Sequence, residues 1–283
     1  MHYDLPQNYP GIADVVIGSR LMILKPKTNY AHVQPTVYDF KDLRPCKLPL
    51  IPAEYRQYPS FYHAEYIMTR SYVLIFYTFA KPHRTLETVI FACPTTPVVT
   101  QNNCNGNESV LQISHSVVVD SLVLANIRVM YDDTCKESGT TRITLVGKKV
   151  TNCRAADAGL MALRLTLHPV ISDQGSIGPI NYECTDFGII PGRDGIWLEM
   201  GPDECGRGVY NTPSGHIVLF SIDAEDDGTL RWHKSEELTW RTGLIRHSAM
   251  AFDGYRGMLC VKTINTARNV ELEVWTIARR SVS

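Results

Sequence analysis

"HSAMAFDGYRGMLCVKTINTARNVELEVWTIA" spans His247 to Ala278 and reads as three strands separated by two turns. "SAMAF" runs through "DGYRG" into "MLCVKT", and a loop holding "NTARN" leads into "VELEVWTI". In the last segment Val270, Leu272 and Val274 alternate with Glu271 and Glu273 before Trp275, the pattern of a strand with one wet face. Leu272, Val274 and Trp275 are the side chains expected to be buried. Gly254 and Gly257 supply backbone freedom to the first turn. The stretch is a β-meander.

The same grammar recurs upstream. "ADVVI" passes through "GSR" into "LMILK", with "VQPTVYDF" following. "AEYIM", "TRS", "YVLIFYTF" and "LETVIFA" form another copy, and "DFGII", "PGRDG", "IWLEM" and "HIVLFSID" a third, with "TLRWHKSEE" as its fourth strand. From each turn to its third strand the separation is about 18 to 25 residues, as repeated supersecondary units require. Tyr38, Phe91, Phe220 and Trp275 stand beside aliphatic residues at corresponding points of the third strands. A middle copy is "HSVVVDSLVLANIRVMY", "TRITLVGKK" and "LMALRLTLHP", without the aromatic.

Each unit has one apolar face too many to be stable alone, so units stacked face against face would bury both. The fold class expected is all-β: a propeller-like array of about five or six antiparallel meander blades in a single domain over 1–283. A β-sandwich or two small β-domains is the alternative architecture. No long segment shows helical periodicity, which disfavours βαβ folds.

The 283 residues suffice for a substantial core, and 44% hydrophobic with 20% charged residues are ordinary globular values. Lys and Arg total 28 against 29 for Asp and Glu, so a net charge of −1 provides no field to gather nucleic acid or anionic membrane. No apolar run reaches the roughly 18 residues of a membrane helix, and "MHYDLPQNYPG" lacks the segments of a secretory signal. The expected setting is intracellular, cytoplasmic or nuclear. Eight cysteines without a CxxC pair point to reduced thiols, many of them buried.

Catalytic signatures do not accumulate. "DAEDDG" from Asp223 begins like a calcium loop, but Lys234 occupies the place of the bidentate carboxylate. The nine histidines are scattered, with no HExxH. No GxSxG, P-loop or GxGxxG occurs, and "GRGVY" reads as a loop. Cys104 and Cys135 lie in polar stretches without a recognisable partner histidine. No metal and no cofactor are expected. The strongest enzymatic argument is a set of acids beside first strands, Asp14, Glu65, Asp186 and Asp253, which in a propeller would converge on a central channel as glycosidase carboxylates do.

At "IIPGRDGIWLEM", "HIVLFSIDAEDDGTLRWHKSEEL" and "MAFDGYRGMLCVKT" the chain resembles the β-rich C-terminal region of F-box proteins abundant in mushroom-forming basidiomycete fungi. The shared features are a glycine-bearing hairpin, a strand ending in an apolar and aromatic run, and an acidic-Gly turn before a "GxLC"-like strand. They cover the last third of the chain most strongly. "DLPQNYPGIADVV" contains Leu-Pro but continues as strand-like sequence, so no F-box is read in this chain. The resemblance implies the substrate-recognition half of a ubiquitin-ligase adaptor, with an F-box region outside this sequence binding a Skp-type adaptor. It carries no catalytic residue.

Two functions from different classes follow. The first is a non-enzymatic protein-interaction module binding a protein partner through rim loops, with His83 and Arg84 in "PHRT", Asn103 and Asn105 in "NNCNGNES", and Asp203, Glu204 and Arg207 in "GPDECGRG" as loop candidates. The second is a carbohydrate-binding or glycoside-hydrolysing propeller, presenting Trp197, Trp232, Trp240 and Tyr210 as sugar platforms beside the channel acids.

Overall fold

The computed structural model describes residues 12–26, 35–41, 45–49, 60–80, 86–102, 106–120, 122–150, 158–170, 176–189, 196–200, 206–211, 217–224, 229–238, 246–253, 256–264 and 270–277. The protein is all-β: among the described residues every regular element is a strand, and no cis peptide bond occurs. The chain divides into two compact units, Met1–Val123 with Cys135–Thr140 and Leu167–Asn181, and Leu124–Thr134 with Thr141–Thr166 and Tyr182–Ser283.

The first unit opens with β1 (Ile12–Ile17), β2 (Leu21–Pro26), β3 (Thr36–Asp39) and β4 (Pro45–Lys47), neighbours in that order. β5 (Ser60–Met68), β6 (Tyr72–Ala80) and β7 (Leu86–Pro94) form a second meander. β8 (Val98–Asn102) and β9 (Gly106–Val110) make a hairpin that joins β4 through a parallel pairing of Cys46 with Ser109. β10 (His115–Asp120) returns to the free side of β7, antiparallel, as that meander's fourth strand. "HSVVV" therefore completes the second meander instead of opening the middle one. Pairing across an intervening hairpin leaves no local trace in sequence.

The core of this unit follows strand parity. Val73, Ile75, Tyr77 and Phe79 on one face of β6 meet Val89, Phe91 and Cys93 of β7 and Leu21, Ile23 and Val37 of β2 and β3 in one buried cluster. Leu74 and Phe76, on the other face of β6, are also buried, as the uninterrupted run "YVLIFYTF" demands. Lys25 of β2 is ion-paired with Glu65 of β5 at 3.2 Å.

The second unit contains β11 (Leu124–Thr134), β12 (Thr141–Val150), β13 (Ala158–Leu167) and β14 (Gly178–Ile189), in that spatial order; the last residue of β13 and the first four of β14 belong to the first unit. Those first residues of β14 pair in parallel with β10, His115 opposite Gly178. Next come β15 (Ile196–Met200), β16 (Gly206–Asn211), β17 (Ile217–Ala224) and β18 (Leu230–Leu238), an antiparallel four-stranded meander. β19 (Arg246–Asp253), β20 (Met258–Ile264) and β21 (Val270–Thr276) close the array with three strands.

Within this unit successive meanders stack face against face. Val218, Phe220 and Ile222 of β17 bury against Met130, Val146, Leu160 and Ala162 of β11, β12 and β13. Ile217 and Leu219, on the opposite face of β17, bury against Phe252, Leu259 and Val261 of β19 and β20. Alternate residues of one strand thus serve two cores, and the residues on either face would otherwise stand in water.

The segment read from sequence as a loop, "GRGVY", is strand β16. Its Gly206 and Gly208 are buried and Arg207 is exposed between them, so the alternation of a strand is present without apolar side chains at the buried glycine positions.

Candidate functional site

The last meander carries the feature that sets it apart. At the β19–β20 turn Gly257 has φ 67, in the left-handed region glycine favours, and its carbonyl accepts the N–H of Ile277 at 2.7 Å. That bond anchors the end of β21 and fixes its register, with Leu259 opposite Trp275 and Val261 opposite Glu273. Leu259 and Val261 point into the core, so Trp275 shares their face and packs against that core. Glu273 accepts hydrogen bonds from the Trp275 indole N–H at 2.8 Å and from the Thr263 hydroxyl at 3.4 Å.

Parity then turns Val270, Leu272 and Val274 outward, where they are 58%, 68% and 62% exposed, with Met258 alongside at 38%. This corrects the expectation that Leu272 and Val274 are buried. One strand cannot place Val274 and Trp275 on the same face, and the partners on β20 select the tryptophan. β21 is also the terminal strand of its sheet. An apolar row on the open face of an edge strand is the arrangement soluble proteins suppress unless something covers it.

The loop candidates fall at strand connections. His83 and Arg84 lie between β6 and β7, Asn103 and Asn105 between β8 and β9, and Asp203 and Glu204 between β15 and β16; all six lie outside the described residues. Arg207 is not in a loop but on β16, exposed, with Glu199 and Ser221 as its neighbours in register.

Of the acids proposed for a channel, Asp14 is on β1, with its side chain outside the described set. Glu65 is held by Lys25. Asp186 on β14 receives Lys149 Nζ at 2.6 Å and the Gly188 N–H at 2.9 Å, and these bonds hold its carboxyl below the ordinary value. Asp253 caps the turn after β19, accepting the Arg256 N–H at 2.8 Å. Each of these three carboxylates is committed to its own neighbour. Among the described residues no group of three His, Cys, Asp or Glu side chains is arranged to hold a metal ion.

The aromatic candidates are equally local. Tyr210 is 3% exposed and meets Phe220 within the core, so it offers no ring face to a sugar. Trp232 packs against the same core. The side chains of Trp197 and Trp240 lie outside the described residues. Asp223, the first residue of the calcium-loop-like stretch, is on β17 and lies 3.7 Å from His233.

Buried polar groups in the first unit are structural in character. Cys46 and Cys93 are buried free thiols, pushed up to about 11 and about 12 chiefly by desolvation. Thiols held protonated in this way are poor nucleophiles. Tyr66 and Tyr77 cross edge-to-face in the same core, both raised above the ordinary phenol value by burial. His115 is 2% exposed and sits between Ser114 Oγ at 2.9 Å and the His168 carbonyl at 2.6 Å. His115 is thus a satisfied strand residue, and its position at the head of the apolar run "HSVVV" is the sequence signal of its burial.

No family model matches this chain, and neither a curated protein nor a solved structure matches it. Among the described residues no helix is long and apolar enough to cross a membrane.

Proposed function

We propose that this protein is a non-enzymatic protein-interaction module that engages its partner through the outward face of the last meander. The observation that carries the reading is the row of Val270, Leu272 and Val274, all more than half exposed, on the terminal strand of a sheet. The resemblance to F-box C-terminal regions supports an intracellular role as the substrate-recognition part of a ubiquitin-ligase adaptor, with the Skp-type adaptor bound elsewhere in such an assembly. The glycoside-hydrolysing alternative needs acids converging from several units, whereas Glu65, Asp186 and Asp253 are each bonded locally.

The test is proximity labelling in cells with the wild-type chain and with Leu272→Lys, which places a charge on the apolar row without touching the core. The reading expects a defined set of partners that disappears in the variant while its melting temperature is unchanged. Identical labelling by both chains, or hydrolysis by the wild type of a panel of chromogenic glycosides, would sink it.

A further inference from the structure

The molecule contains a template for a strand beside β21. Among the described residues the meanders β1–β4, β5–β7 with β10, β11–β14 and β15–β18 each present four neighbouring strands, and the meander β19–β21 presents three. In the four-stranded meander next to it, β18 begins Leu230-Arg231-Trp232-His233, alternating apolar and basic side chains. Across the β17–β18 ladder Leu230 faces Ala224, Trp232 faces Ile222, and Arg231 faces Asp223. His233 adds a second basic group 3.7 Å from the same carboxylate. The fourth strand therefore matches the third by apolar pairs on one face and by base against acid on the other.

β21 presents the same two-sided demand, and among the described residues no strand pairs with its outer edge. Its outward face offers Val270, Leu272 and Val274, and its other face carries Glu271 and Glu273. We propose that β21 takes up, as a fourth strand, an extended segment of another polypeptide in which apolar residues alternate with Lys or Arg. The segment's backbone completes the hydrogen-bond ladder, its apolar side chains lengthen the outward row, and its basic side chains stand opposite Glu271 and Glu273.

The acids also argue against a second copy of this chain. The run Val270-Glu271-Leu272-Glu273-Val274 is a palindrome about Leu272. Two-fold antiparallel pairing of two copies about Leu272 matches Val270 with Val274 but sets Glu271 against Glu273 in both halves. Like charges directly opposite one another destabilise such a pair, so the glutamates oppose self-association in this register while they attract a basic strand.

The inference rests on the interaction-module reading and narrows it to one partner chemistry. Its test uses the full chain and three end-capped heptapeptide probes carrying a fluorophore: alternating Lys and Val, alternating Glu and Val, and the Lys/Val peptide with its alternate amides N-methylated. Fluorescence anisotropy is expected to show the Lys/Val probe binding at least about ten-fold more tightly than the Glu/Val probe, with N-methylation abolishing the interaction. Glu271→Lys is expected to shrink or reverse the charge preference without changing the melting temperature.

Equal binding of the two charged probes overturns the charge argument, and undiminished binding of the N-methylated probe overturns strand addition. Absence of probe binding also overturns the proposal. Sedimentation velocity showing a dimer would then assign the edge to a second copy, and slow hydrogen exchange along both sides of β21 in the monomer would assign it to a segment of the same chain. If the probes fail while Leu272→Lys still loses its cellular partners, the module reading survives and only this docking mode falls.

Discussion

His115 Nε2 lies 2.6 Å from the carbonyl oxygen of His168, and since a carbonyl only accepts, the ring donates there. Nδ1 lies 2.9 Å from Ser114 Oγ, whose hydroxyl hydrogen donates to the Ala92 carbonyl at 3.1 Å. His168 in turn reaches Thr140 through Nδ1 at 3.3 Å, so the two histidines tie the β11–β12 turn and the segment after β13 to the head of β10. Replacing His115 with Leu leaves the buried groups around it without their partner. We expect a loss of about 1–3 kcal/mol in urea unfolding, and about 1 kcal/mol for Ser114→Ala. An unchanged midpoint for His115→Leu would show that this network contributes nothing to stability.

Gly257 answers to two constraints that substitutions can separate. Its φ of 67 disfavours any residue with a Cβ, and a Cβ built there would lie 2.8 Å from the Ile277 carbonyl oxygen. Gly257→Ala is expected to cost about 1–3 kcal/mol, from the left-handed backbone together with that contact. Asn tolerates the left-handed region better than Ala, yet its Cβ meets the same backbone oxygen. If the contact dominates, thermal melts will show Gly257→Asn nearly as destabilised as Gly257→Ala. Full recovery with Asn would assign the cost to backbone conformation alone.

The strands themselves were legible because alternation and turn chemistry are local. The third-strand aromatics Tyr38, Phe91 and Phe220 are 8%, 2% and 2% exposed, as their recurrence at matching points suggested. Burial on both faces of β6 follows from its unbroken apolar run. What failed was parity in β21, where Leu272, Val274 and Trp275 were all read as buried although Val274 and Trp275 must take opposite faces; the side chains of β20, which decide the matter, belong to another strand. The β4–β9 and β10–β14 parallel contacts were likewise invisible, since each joins strands separated by other elements. For the candidate site, the residues of β21 were singled out from the start, but as core; the exposed row emerges only once Leu259 and Val261 fix which side is inside.

The Lys149–Asp186 pair offers a check on the channel-acid reading. Its lysine and aspartate side chains are 26% and 46% exposed, so solvent screens the pair and its removal is a small effect. Asp186→Asn is expected to cost less than about 1 kcal/mol at pH 7. The Asp186 carboxyl is depressed below its reference value of 3.8, so its contribution is present above that pH and disappears as pH falls through the lower folded value. Wild type and variant should therefore converge in stability below pH 3.8. A gap that persists in acid would mean that Asn introduces a defect of its own.

The buried thiols make the opposite prediction at alkaline pH. Burial raises Cys46 to about 11 and Cys93 to about 12 from a reference value of 9.0, so the folded state holds protons that the unfolded state releases. Their contribution is complete below pH 9 and is lost as pH rises toward the folded values, at about 1.4 kcal/mol per pH unit for each thiol between the two limits. Tyr66 and Tyr77, raised by the same desolvation, steepen the fall once free phenols begin to ionise. Urea unfolding at pH 7, 8.5 and 10 should show little change over the first interval and a marked drop over the second. The double variant Cys46→Ala/Cys93→Ala should start less stable but decline less steeply. Alkylation of the native protein at pH 8 should label the exposed Cys135 while sparing both buried thiols. Rapid labelling of Cys93 would mean that the β6–β7 core opens readily, and the alkaline slope would then need another origin.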